Sequence, residues 1–108
     1  MPALESEWEL RFGTTDAVRG WEELCRLALG NTRRCFEALR TDPRSRANPD
    51  RQHRLRGDLA THRHNGADLE QWEYEVTSAG RIRYGIEDST HTVWLVYASP
   101  RHPKDTDR

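Results

Sequence analysis

The residues of this chain that could do chemistry are mostly cations. Arg81 and Arg83 alternate with Ile82 and Tyr84, so both guanidiniums leave the same side of an extended segment. A guanidinium grips two phosphate oxygens at once, which a point charge cannot do. A second cluster closes the chain in SPRHPK, where His102 stands with Arg101 and Lys104. An imidazole titrates near neutral pH and can act as acid or base, while neighbouring cations would bind phosphate or stabilise a leaving group. The same stretch also reads as a plain exposed tail. Residues 31–64 hold nine arginines against four acids, a local charge of +5 between two segments of −3 each. The net charge of −1 therefore conceals a basic band able to hold a phosphate backbone locally. A solvated arginine-rich helix end and loop would look the same.

Other side chains point less sharply. His62 and His64 are spaced i, i+2 in a polar stretch with no Cys or Asp cluster beside them, which is poor spacing for a metal site. Tyr84 and Trp94 could stack on a nucleobase. Tyr84, however, shares its face with Ile82 and Ile86 and reads as core. Cys25 and Cys35 fall on predicted helices without zinc-site partners and read as buried thiols rather than a disulfide.

The elements that must position these groups follow from periodicity. Trp72, Tyr74 and Val76 alternate with Glu73, Glu75 and Thr77, and residues 81–86 alternate likewise, which predicts two half-buried strands. With Ser78-Ala79-Gly80 as the turn, Val76 would face Ile82, Tyr74 would face Tyr84, and Trp72 would face Ile86. Glu75 would then sit opposite Arg83, which also reads as a mere surface pair, and Thr77 opposite Arg81, whose charge would remain free. Residues 92–98 are apolar almost throughout, as in a strand covered on both faces. Upstream, Trp8 to Phe12 reads as a first strand, and Gly13 to Asp16 as a turn with an N-cap candidate. Val18, Trp21, Leu24, Cys25, Ala28 and Leu29 recur at helical spacing, with Gly20 as a weak point. Gly30-Asn31 breaks that pattern, and a shorter helix around Cys35, Phe36 and Leu39 stops before Asp42-Pro43. Residues 43–52 and 60–69 read as loops, and residues 53–59 as a short strand or turn. The fold class is α+β in one domain over residues 1–108: an N-terminal strand and two helices packed on a twisted antiparallel sheet of about four strands.

At 108 residues, 34% hydrophobic and 32% charged, the chain supports one modest core enriched by four Trp. No apolar run approaches the roughly 20 residues of a membrane span, and no signal segment opens the sequence, so a cytoplasmic protein is expected.

The stretch Leu55-Arg56-Gly57-Asp58-Leu59, followed by Arg81-Ile82-Arg83-Tyr84 and the terminal SPRHPK, resembles the RelE/ParE superfamily of type II toxin–antitoxin toxins, closest to the RelE/YoeB-like messenger-RNA interferases. The likeness extends over most of the chain. It implies a metal-independent, ribosome-associated endoribonuclease that cuts messenger RNA, inhibits translation, needs no cofactor and is neutralised by a cognate antitoxin. Such cleavage needs a base for the 2′-hydroxyl, cations for the scissile phosphate and relief of charge on the departing 5′-oxygen. By resemblance, Arg81 takes the position of a phosphate-binding arginine and His102 that of a catalytic tip residue. His53 falls where some members carry a glutamate base, and Arg54 and Arg56 flank it as RNA-backbone contacts. Arg83, Arg101 and Lys104 complete the phosphate-binding set. The histidine at 53 and the absence of lysines nearby depart from the family pattern. The ParE branch shares the fold but inhibits gyrase, so a gyrase inhibitor or an inactive toxin-fold binding protein is the alternative.

Overall fold

The computed structural model describes residues 7–102. Its elements in chain order are β1 (Glu9–Phe12), α1 (Thr15–Leu27), α2 (Leu29–Thr41), β2 (Gln52–Arg54), β3 (Thr61–His64), β4 (Ala67–Glu75), β5 (Arg81–Glu87) and β6 (Thr92–Ser99). The sheet runs β1-β6-β5-β4-β2, with β3 also pairing β4. It thus has six strands where about four were expected. β1 runs parallel to β6, and every other pairing is antiparallel. Both helices pack on one sheet face, where Leu24, Cys35 and Leu39 meet Trp72, Tyr74, Val76, Ile82, Tyr84 and Ile86.

Local chemistry explains the helix limits. The Thr14 hydroxyl accepts from the Ala17 amide at 3.0 Å and donates to the Val96 carbonyl at 2.9 Å. One side chain thereby caps α1 and ties its start to β6. The helices part at Ala28 (φ −149°, ψ 58°), earlier than Gly30-Asn31 suggested. Gly30 and Asn31 lie in the first turn of α2, where amides lack intrahelical partners anyway, so weak helix formers cost little there. Cys35 is buried, and burial pushes its thiol far up, whereas Cys25 is only half-buried; neither forms a disulfide.

Gly20 is required by packing. A Cβ on it would lie 1.7 Å from the Ala98 carbonyl oxygen, so α1 can approach β6 only with glycine there. Tyr84 is the polar pin of the core. Its hydroxyl donates to the Pro43 carbonyl at 2.7 Å and accepts from Gln52 Nε2 at 3.0 Å, anchoring the segment between α2 and β2.

Residues 60–69, expected as a loop, instead supply β3, the start of β4 and a tight hairpin. Asn65 (φ 49°) and Gly66 (φ 84°) form the two-residue connection, which needs positive φ at both positions. The strands escaped notice because neither face of β3 is apolar, so no alternation marks it.

Arg44 closes the fold's far side. Its guanidinium forks onto both Asp88 carboxylate oxygens at 2.9 Å and reaches Glu70 at 3.0 Å. The Arg44 hydrogen bond holds the Asp88 carboxyl below its ordinary range. Burial pushes Glu70 up, but hydrogen bonds from Trp72 and Arg44 outweigh it and the net direction is down.

Two outcomes follow. Gly20→Ala should destabilise the protein by about 3 kcal/mol or more in urea unfolding, the scale of severe overpacking; parent-like stability would mean the α1–β6 contact is misplaced. Depressed carboxylates stabilise the fold above their unfolded pKa and lose that effect as pH falls through the folded values. Arg44→Met should therefore cost about 1 kcal/mol at neutral pH, with the deficit shrinking below about pH 4, as read from thermal midpoints across pH.

Candidate functional site

The sheet face turned away from the helices carries a polar row built by backbone register. His53 of β2 pairs with Glu73 of β4, Glu73 with Arg83 of β5, and Arg83 with Tyr97 of β6. Glu73 is its centre, with a side chain only 5% exposed. Arg83 Nε donates to Glu73 Oε2 at 2.9 Å. Glu73 Oε1 lies 3.7 Å from Arg81 Nε and 3.8 Å from His53 Nε2. The Arg83 guanidinium also sits 5.3 Å from the Tyr97 ring centroid, a cation–π contact that adds to its fixation.

This register differs from the expected one by two residues. Trp72 faces Tyr84, Tyr74 faces Ile82, and Glu75 faces Arg81. The turn is longer than Ser78-Ala79-Gly80: the Val76 amide bonds the Gly80 carbonyl at 2.9 Å, and the Thr77 hydroxyl accepts from the Gly80 amide at 2.7 Å. Arg81 is consequently not a free charge. Its side chain is 12% exposed, pairs with Glu73 and Glu75 at 3.7 Å, and donates through Nη1 to the carbonyls of Thr77, Ser78 and Gly80. Arg83 pairs with Glu73 rather than Glu75 and is no surface pair, being 7% exposed. Together Arg81, Arg83, Glu73 and Glu75 carry no net charge.

His53 behaves differently. Its side chain is 42% exposed and lines a groove of about 670 Å³ together with Arg46, Arg54 and Arg56. Leu55, Pro49 and Trp72 supply apolar walls; none of the described lining residues is acidic, and Glu70 and Glu73 lie 3.6 and 3.8 Å from Arg54 and His53. Arg54 projects from β2 and lies 3.6 Å from Glu70 Oε1, while Arg56 is exposed. The positive-φ Gly57 (φ 63°) lets the chain turn sharply past these arginines.

The terminal tip is not part of this assembly. Arg101 leans to α1, 3.6 Å from Glu23, and lines a separate groove with Arg19, Arg26 and Tyr97. His102 is exposed past the end of β6, with no contact to His53 or Glu73, and Lys104 lies outside the described residues. Trp94 packs against His64 with ring centroids 4.3 Å apart and planes tilted by 37°, and donates to Glu87 at 3.2 Å. Of the sequence candidates, His53, Arg81 and Arg83 thus converge, Arg54 and Arg56 border them, and Arg101 and His102 stand apart.

Glu73 and Arg46 are the members that sequence reasoning missed. A signal for Glu73 existed. Two acids at 73 and 75 face two arginines at 81 and 83, and only the observed register pairs both sets, whereas the expected one pairs a single set. Nothing in the sequence distinguished Arg46 from its basic neighbours.

No family model matches the sequence, and no curated protein does so. Among solved structures, a chain of the toxin–antitoxin complex RelBE2 from Mycobacterium tuberculosis matches with a TM-score of 0.50 and 21% sequence identity. The match covers 90% of this chain and 99% of that one. At this identity the likeness speaks to the fold, and it agrees with the RelE-like α+β architecture that the sequence resemblance implied.

The burial of the ionic row has a measurable consequence. Glu73→Ala leaves two guanidiniums without their shared carboxylate and should cost about 3–5 kcal/mol in chemical unfolding. The more exposed Glu75→Ala should cost about 1 kcal/mol or less. Equal costs would refute the central place of Glu73.

Proposed function

We propose that the protein is the toxin of a toxin–antitoxin pair and that it cleaves messenger RNA, on the ribosome, without a metal ion. The fold supports the toxin reading. The cleavage reading rests on one observation: a half-exposed histidine, His53, lines one groove with Arg46, Arg54 and Arg56. Three guanidiniums along one groove attract a phosphodiester backbone.

In this reading the three arginines hold the phosphates on either side of the scissile bond. His53 takes the proton of the 2′-hydroxyl, the 2′-oxygen–phosphorus bond forms, and the 5′-oxygen–phosphorus bond breaks. The products are a 2′,3′-cyclic phosphate and a 5′-hydroxyl whose proton comes from solvent. The guanidiniums offset the charge that accumulates on phosphorus-bound oxygens in the transition state. Arg81 and Arg83 are engaged with Glu73 and Glu75, so here they support the sheet face rather than grip phosphate. Nothing in the geometry sets His102 beside His53, so His102→Ala serves as the comparison variant.

A second reading has its own observation. The ionic row on the open face is self-neutralised, and a toxin-fold protein that only binds a partner, or inhibits gyrase, needs no free cations there. A supercoiling assay separates the two, because an RNA-cleaving toxin leaves gyrase untouched.

The deciding experiment is a reconstituted translation reaction with mapped messenger-RNA ends. The parent should cut, and His53→Ala should be slower by about 100-fold or more, the usual worth of a general base. Arg54→Ala and Arg56→Ala should each weaken RNA binding and reduce its salt dependence by about one phosphate contact. If His53→Ala cuts like the parent, the assignment of the base is wrong; if the parent inhibits supercoiling and cuts nothing, the second reading replaces the first.

A further inference from the structure

The chemistry just proposed requires one ring nitrogen of His53 to be an acceptor facing the groove, and a neutral imidazole can present either. We infer that Glu73 is a positioning residue that fixes His53 as the Nε2–H tautomer, leaving the Nδ1 lone pair toward the groove. The inference rests on the proposed role of His53 but is read from different atoms.

Three observations carry it. His53 and Glu73 are direct cross-strand partners in the β2–β4 ladder, so their proximity is set by the backbone rather than by a chance rotamer. Nε2 is the ring nitrogen nearest the carboxylate, 3.8 Å from Oε1, beyond a direct hydrogen bond but close enough for the negative charge to favour a proton on that nitrogen. Glu73 cannot turn away, because Arg83 holds Oε2 at 2.9 Å and Arg81 flanks Oε1 at 3.7 Å. An ionised carboxylate only accepts hydrogen bonds. The nitrogen opposite it must therefore carry the hydrogen, and the other nitrogen is left as the base. The apparently structural arginines acquire a purpose: they clamp the carboxylate that orients the histidine. Support of a reactive histidine by a buried acid has the logic of other oriented imidazoles.

Glu73→Gln gives a sharp contrast. In the variant the single amide oxygen stays with Arg83 Nε, which holds the carboxylate at 2.9 Å, whereas Arg81 Nε stands off at 3.7 Å. The amide NH₂ then faces His53 and donates to Nε2. That arrangement stabilises the Nδ1–H tautomer and turns the groove-facing nitrogen from acceptor to donor.

The test is long-range ¹H–¹⁵N NMR of the histidine rings in the intact, RNA-free protein. Neutral His53 should appear as Nε2–H in the parent and switch to Nδ1–H in Glu73→Gln, while Glu75→Gln leaves it unchanged. In the cleavage assay Glu73→Gln should lower kcat by about 100-fold with little change in KM, since the base and not RNA binding is affected. A parent His53 that is Nδ1–H, or an even mixture, overturns the inference without any variant. So does a Glu73→Gln protein whose tautomer and kcat match the parent. The tautomer is read without RNA, so a parent that shows Nε2–H yet cuts nothing sinks the proposed activity while leaving the role of Glu73 in place.

Discussion

A carboxylate buried on the outer face of a sheet is costly unless cations reach it, and Glu73 is reached by two. That requirement organises much of the molecule. Arg83 must stand opposite Glu73 and Arg81 one pair further along, so only one alignment of β4 on β5 satisfies both. Shifting the strands by two residues would keep every apolar side chain on the helix face. The core alone is therefore nearly indifferent to that slip, and the ionic row discriminates against it. Tyr84 reinforces the choice from the other side, because its hydroxyl meets Pro43 and Gln52 only at the observed position.

The same contrast explains what the sequence made legible. Strands with apolar residues announced themselves: β1, β5 and the second half of β4 by alternation, and β6 by a nearly continuous apolar run. The helix pair followed from the spacing of Val18, Trp21, Leu24 and Cys35, and Thr14 and Pro43 marked real boundaries. β3 did not show, because both its faces are polar and its partner on β4 begins with Ala67 and Asp68. Only the Asn65-Gly66 pair signalled it, through backbone conformation rather than hydrophobicity. The register between β4 and β5 was missed for a related reason. The pattern of apolar residues has period two, so it fixes the faces but not which of two equivalent alignments is used.

Site chemistry was legible by residue type and misread by partner. Arg81 and Arg83 looked like phosphate ligands because guanidiniums on an outward strand face usually meet water. In the structure they are largely buried and meet the carboxylates of Glu73 and Glu75. His53, chosen only by resemblance, emerges in the more open position, with the arginines of the basic band around it. The cations of the basic band that line the groove beside His53 are Arg46, Arg54 and Arg56, of which Arg54 also approaches Glu70.

Shape then decides which part of the outer face can receive a ligand. Gly85 has no side chain, and a Cβ there would lie 3.1 Å from Leu69. Through that gap β4 coils tightly, and the β3–β4 hairpin carries His64 onto Trp94, across from its own edge of the sheet. The upper half of the face is thereby roofed by Leu69, His64 and Trp94. The ionic row stays below the roof with its members mostly buried, and solvent meets it at its His53 end beside β2. The groove with Arg46, Arg54 and Arg56 meets this end at the β2 edge, since Arg54 pairs with Trp72 and so leaves β2 on the side opposite His53. The fold thus hides the charges of the ionic row and leaves the imidazole of His53 half-exposed at its end.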